Sequence, residues 1–173
     1  MAMDPRLQEL LDKQDIYELC CRYMRGLDRL DKDLLKSVYH EDATDDRGFF
    51  KGSADEFVEM AVGLLENYDY LHHMIGQALI DVEGDVAFGE IYFHAYHRQT
   101  IDNQETDLII IGRYIDRYEK RDGVWKIAHR SELNDLDRTV SSNSDWSNAT
   151  PEAPRGERAP DDLSYKRDVI RHK

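Results

Sequence analysis

The apolar spacing of this chain changes character once, near residue 71, from the interval of a helix, about 3.6 residues, to the alternation of a strand. That single switch, with helical patterns only before it and strand patterns only after it, rules out an alternating strand–helix order. It predicts an α+β fold in which N-terminal helices cover one face of a mostly antiparallel sheet. Leu7, Leu10, Leu11, Ile16, Leu19, Cys20, Tyr23, Met24 and Leu27 recur at helical spacing and predict a helix over 5–29, with Gly26 in its closing turn. Asp31 is placed to cap a second, short helix whose apolar side is Leu34, Leu35 and Val38, and Ser53 with Glu56 forms a capping box ahead of Phe57, Met60, Ala61, Leu64 and Leu65. Between these two helices, Asp45-Asp46-Arg47-Gly48 before Phe49-Phe50 suits a short strand pair turned at the glycine.

From residue 71 onward the alternation predicts strands near 71–82, 86–99, 106–119 and 124–134, separated by turns at Glu83-Gly84-Asp85, Asp102-Asn103 and Arg121-Asp122-Gly123. Strands so closely connected form a meander, and a pocket is expected between the curved sheet and the three helices. Residues 1–136 make up one domain on this reading. Beyond Leu136 the apolar period stops and prolines and charges take over, so 137–173 is expected to be an irregular tail, either solvated or lending Trp146 to a neighbouring subunit or a lid.

Charge and composition narrow the partners. With 36 acidic and 23 basic side chains the net charge is −13, which repels phosphate backbones and argues against nucleic acid. No apolar run approaches the ~18 residues of a membrane span, and Met1-Ala2-Met3-Asp4-Pro5-Arg6 has neither the basic start nor the apolar stretch of a leader, so a cytoplasmic protein without membrane partners is expected. Cys20 and Cys21 are neighbours on a helix, where adjacent side chains diverge, and read as packing thiols rather than a disulfide.

One histidine stands out. His73 lies in the apolar strand run Tyr70–Ile80, and an imidazole aimed into an apolar interior is suited to moving protons near neutral pH. A partner is needed to hold its tautomer, and Asp28 at the end of the first helix is the candidate, since a carboxylate stabilises the imidazolium and keeps the other ring nitrogen protonated. The residues alone leave open that His73 is a core histidine and Asp28 a helix-end residue. His94 and His97 resemble a metal pair, but an odd separation on a strand sends them to opposite faces, so no metal site is expected. Asp45 and Asp46 likewise point apart and read as structural. Zinc-binding helices, paired Cys-x-x-Cys motifs, phosphate loops and serine-nucleophile elbows are all missing from the sequence. Arg130, on a strand expected to be covered, needs an anionic or polar partner and could steady negative charge on a substrate, or could serve only in an ion pair. Tyr23, on the apolar helix face, is either core or a donor reaching into the pocket.

Taken together, Asp15-Ile16-Tyr17 through Arg22-Tyr23 to Leu27-Asp28, then Tyr39-His40-Glu41-Asp42-Ala43, the histidine strand ending Leu79-Ile80-Asp81-Val82, and Gly112-Arg113-Tyr114 through Tyr118 to Val124-Trp125-Lys126-Ile127 resemble the SnoaL-like group of the nuclear-transport-factor-2-like superfamily. The resemblance covers about residues 5–136. It implies a cone-shaped α+β barrel, commonly a homotrimer, with a cofactor-independent His–Asp dyad inside. By the same resemblance Asp28 and His73 are the dyad, Tyr23 matches a tyrosine five residues before the aspartate, and Arg130 matches a last-strand arginine. Tyr92, His94 and Tyr96 are the expected substrate contacts. The implied activity is that of a lyase: His73 removes a proton from an apolar, aromatic or polycyclic small molecule and a leaving group departs. An isomerase or hydrolase in the same pocket, or a ligand-binding module without turnover, are the alternatives.

Overall fold

The computed structural model describes residues 4–142 and 149–171. Helix α1 (Pro5–Arg29) starts on the Asp4 cap and ends at Leu30, whose backbone adopts the left-handed conformation. Asp31 accepts from the Leu34 N–H and starts α2 (Lys32–Ser37). Strand β1 (Tyr39–Asp46) turns through Gly48 into β2 (Lys51–Ser53), and the expected capping box of Ser53 and Glu56 opens α3 (Ala54–Leu65). Then follow β3 (Tyr70–Glu83), β4 (Val86–Ile101), β5 (Gln104–Arg121) and β6 (Val124–Ser141). Each strand lies where the alternation predicts it. Strand β6, however, runs on past 134 to Ser141, because its last residues are exposed on both faces and carry no apolar period while still pairing with β5.

The six strands run β2-β1-β6-β5-β4-β3. The sheet is therefore open, with β2 and β3 as its edges, rather than a closed barrel, and the helices cover its inner face. The meander accounts for the antiparallel pairs, but β1 joins β6 in parallel, a long-range pairing that brings Asp45 opposite Arg130. At the other edge, Gly76 and Gln77 of β3 together oppose Tyr92, which is a β-bulge. A side chain at Gly76 would sit 3.3 Å from the Tyr92 Cβ, so glycine suits this close approach. On one side of the bulge Ala78 and Ile80 turn to the core; on the other, Leu71, His73 and Ile75 do.

The core joins Ile16, Leu19, Tyr23 and Leu27 of α1 and Phe57 and Val58 of α3 to Ile91, Phe93, Tyr114, Tyr118 and Ile127 of the sheet. Near the start of α1, buried Asp12 accepts from Lys120 Nζ at 2.7 Å and Trp125 Nε1 at 2.8 Å, pinning the helix to the β5–β6 hairpin. Of the two cysteines only Cys20 packs, its thiol 3.2 Å from the Tyr118 hydroxyl; Cys21 is exposed because the next helix position faces away from the sheet. Among the described residues no helix is long and apolar enough to cross a membrane. After β6, residues 154–165, which end in a 3-10 turn (Leu163–Tyr165), fold back over the C-terminal end of α1 and lead into α4 (Arg167–Arg171). Trp146 lies outside the described residues.

Candidate active site

Asp28 is held at the closing turn of α1, and β3 crosses beside it. Its Oδ1 accepts from the His73 backbone N–H at 2.9 Å and from His73 Nδ1 at 2.7 Å. A carboxylate can only accept, so Nδ1 carries the proton and Nε2 is left with the lone pair. The two side chains are almost wholly covered, 5% exposed for His73 and 12% for Asp28. Their pairing depends on the bulge in β3, which turns Leu71, His73 and Ile75 to the inner face.

Two concavities flank the pair. The larger, about 700 Å3, is a charged groove beside the C-terminal segment, lined by Arg29, Asp69, Arg98 and Arg158, and Asp28 borders it. The smaller, about 140 Å3, lies between α1, α3 and the sheet, with walls from Leu27, Phe57, Leu64, Phe93 and Ala95. His73, His97, Tyr23 and Arg47 reach the smaller one. A mostly apolar enclosure onto which a few polar groups converge is the usual form of a small-molecule site, so size alone does not favour the groove.

His97 stands edge-on to His73, ring centres 5.0 Å apart, and is 6% exposed. Burial, helped by the neighbouring His73, lowers its pKa to about 4. At neutral pH His97 is therefore neutral, and a proton taken up by His73 meets no second cation. On the far wall the Tyr23 hydroxyl accepts from Arg47 Nη2 at 2.8 Å, which leaves its own O–H free to donate. Arg47 also binds Asp45 through Nε at 2.8 Å and Glu132 through Nη1, and it stacks 3.7 Å over the Phe57 ring. Burial disfavours its charge, but the Tyr23 oxygen, Glu132 and Asp45 outweigh that and hold the guanidinium well above its ordinary pKa. Phe93 and Tyr114 stack face to face at 4.5 Å along the cavity wall.

Several expected contacts belong elsewhere. Arg130 is fully buried, but its fork is taken by Asp116, Nε to Oδ1 at 2.8 Å and Nη2 to Oδ2 at 2.6 Å, and the rings of Tyr23 and Tyr114 lie 4.2 and 4.0 Å from it. It does not reach the cavity; Arg47 is the cation that does. Tyr92, His94 and Tyr96 lie on the other face of β4, in register with Arg113, Ile111 and Ile109, while Phe93, Ala95 and His97 face inward. His94 and His97 are accordingly on opposite faces, as the odd spacing predicts. Asp45 and Asp46 also diverge: Asp45 is buried under Arg47 and Tyr39, and Asp46 is paired with Lys51. Arg47, His97, Tyr114, Glu132 and Asn134 are polar cavity residues missing from the sequence-based set. A signal for Arg47 exists in the alternation Ala43, Asp45, Arg47, of which the first two are buried.

An open, curved, mostly antiparallel sheet covered by helices, with a buried His–carboxylate pair between the layers, is the architecture of the cystatin-like class of folds. More narrowly, the SnoaL-like domain model matches residues 8–131, and the chain belongs to that family. Among solved structures it is similar to a hexachlorocyclohexane dehydrochlorinase, LinA Type2, at 21% identity over 80% of this chain and 95% of that one, with a TM-score of 0.71. It is also similar to a candidate scytalone dehydratase from Novosphingobium aromaticivorans (21% identity, 88% and 95% covered, TM-score 0.68) and to the Kfla4162 protein from Kribbella flavida (16%, 75% and 95%, 0.69). Among curated proteins none matches the chain significantly.

Proposed function

We propose that this protein is a cofactor-independent lyase acting on a small, largely apolar ring. The observation that carries the reading is the 2.7 Å bond between Asp28 and His73 at the wall of an apolar cavity. Asp28 holds the Nδ1–H tautomer, and His73 Nε2 takes a proton from a substrate carbon. The freed electron pair forms the new double bond as the bond to the leaving group breaks. Asp28 stabilises the imidazolium so formed, and neutral His97 does not oppose it. The Tyr23 O–H, its oxygen fixed by Arg47, is positioned to donate to the departing atom or to an activating oxygen. The dehydrochlorinase and dehydratase names among the structural relatives are consistent with such eliminations.

Volume refines the substrate. An apolar cavity of about 150 Å3 accommodates a benzene-sized molecule, so the 140 Å3 here has room to seat one ring of a substrate. The test is elimination from one-ring substrates, beginning with hexachlorocyclohexane and a hydroxylated cyclic ketone. His73→Ala should reduce turnover by at least about a hundredfold, as loss of a general base does, with the melting temperature nearly unchanged. Turnover retained in His73→Ala overturns the proposal.

A further inference from the structure

The C-terminal segment offers a function beyond covering the surface. Residues 157–165 cross the end of α1 and are tied to it at several points. The Ala159 N–H donates to the Arg29 carbonyl at 2.8 Å, Arg29 Nη1 returns to the Glu157 carbonyl at 2.8 Å and to Asp162 at 3.1 Å, and the Tyr165 hydroxyl donates to Asp31 at 2.7 Å. Arg25 lies 4.1 Å over the Tyr165 ring. Within this strap one side chain does something the others do not. Arg158 donates through Nη1 to the Asp28 carbonyl at 3.1 Å and through Nη2 to the Tyr68 carbonyl at 2.8 Å.

Those two carbonyls belong to the two backbones that carry the dyad: Asp28 itself, and the turn that leads from α3 into β3 and on to His73. One planar guanidinium, pre-shaped to span two acceptors, thus bridges the main chains whose side chains form the 2.7 Å bond. It also sets a cation at the C-terminal end of α1, where the helix dipole favours one. Burial, with Arg29 nearby, lowers the pKa of Arg158, while the Asp28 charge opposes this, so the two groups sense each other.

We propose that Arg158 is a positioning residue for the dyad, with the C-terminal strap acting as a brace that fixes Asp28 against His73. This rests on the lyase reading only for its effect on turnover. The experiment compares Arg158→Gln with Tyr165→Phe, a variant that loosens the strap at Asp31 without touching either dyad backbone. The His73 imidazole is observed through its ring nitrogen shifts, and kcat and KM are measured on whichever one-ring substrate the parent converts.

In the parent and in Tyr165→Phe, His73 should be a fixed Nδ1–H tautomer. In Arg158→Gln its shifts should average toward the free-histidine mixture, and kcat should fall about tenfold with KM within a factor of two, since small misplacements of reacting groups are felt in the chemical step. A fixed tautomer and unchanged kcat in Arg158→Gln, even with a lowered melting temperature, overturn the proposal. So does an equal loss of tautomer in Tyr165→Phe, which would make the whole strap, not Arg158, responsible. If the parent turns over no substrate, the lyase reading fails by itself and the nitrogen shifts still decide the role of Arg158.

Discussion

Arg47 and Arg130 are both buried guanidiniums beside the ring of Tyr114, at 5.7 and 4.0 Å, and both touch Tyr23, yet only one belongs to the cavity. Arg130 and Asp116 have fully buried side chains joined by a two-pronged bond through Nε and Nη2, while Arg130 Nη1 is buried without a hydrogen-bond partner among the described residues. Arg47 distributes its nitrogens over Asp45, Glu132 and Tyr23 and remains on the cavity wall. Burial of an arginine is therefore no guide to its part in chemistry. What separates the two is where the bonded groups lie: the Arg47–Tyr23 pair borders the cavity, and the Arg130–Asp116 pair does not.

The largest effect expected from this contrast is on stability. Arg130→Met leaves the Asp116 carboxylate buried without its counter-charge, which should cost about 3–5 kcal/mol, while the molecules that remain folded keep their turnover. Denaturant unfolding and activity per folded molecule measure the two parts, and replacing Asp116 by leucine as well should recover much of the loss. A turnover defect in Arg130→Met far beyond the unfolded fraction would place Arg130 at the site after all and end the contrast.

A smaller effect comes from acid. His97, in the cavity, has a pKa of about 4 when folded against 6.5 when unfolded. Between these values the unfolded chain binds more protons, so the stability contributed by keeping His97 neutral is complete above about 6.5 and is lost as the pH falls toward 4. By linkage the loss between pH 7 and pH 5 is about 2 kcal/mol. His97→Gln should flatten that slope, as read from denaturation midpoints at the two pH values; an unchanged slope would show that His97 is not the group responsible. The smallest effect separates the arginines directly: Arg47→Lys keeps a cation for Asp45 but not the fork that also reaches Glu132 and Tyr23, so kcat/KM per folded molecule should fall about tenfold, equivalent to about 1.4 kcal/mol. Equal turnover in Arg47→Lys and the parent would remove Arg47 from the site.

The pairing of Asp28 with His73 was legible because it needs only two facts, a carboxylate at a helix end and a histidine on an apolar strand, and these two elements are packed together in the fold that the order of helices and strands implies. The contacts expected on β4 fall on the strand face opposite the cavity, whereas the bulge in β3 decides which residues of its own strand turn inward. Counting back from the Glu83–Val86 pair at the turn, an unbroken hairpin would set His73 beside Tyr96. The extra residue at Gly76-Gln77 shifts the pairing so that His73 stands beside Ala95 instead, and Phe93, Ala95 and His97 share its face. Strand β4 itself alternates without a break from Ala87 to His97, so Tyr92, His94 and Tyr96 fall on the face opposite Phe93, Ala95 and His97, where Tyr96 borders the larger groove. Arg47 was hidden for a related reason. It lies beyond the end of β1, in a turn marked by glycine, and only the pairing of β1 with the far-off β6 brings it to Glu132.

By itself, the sequence determined the helices, the strands and their order, because local spacing and capping are set by the geometry of neighbouring residues along the chain. Tertiary structure alone decided which side of each strand meets the cavity, which of two buried arginines borders it, and that the C-terminal strap returns to the end of α1. Those outcomes depend on strand register and on partners remote in sequence, and in a sheet a slip of one residue exchanges the two faces.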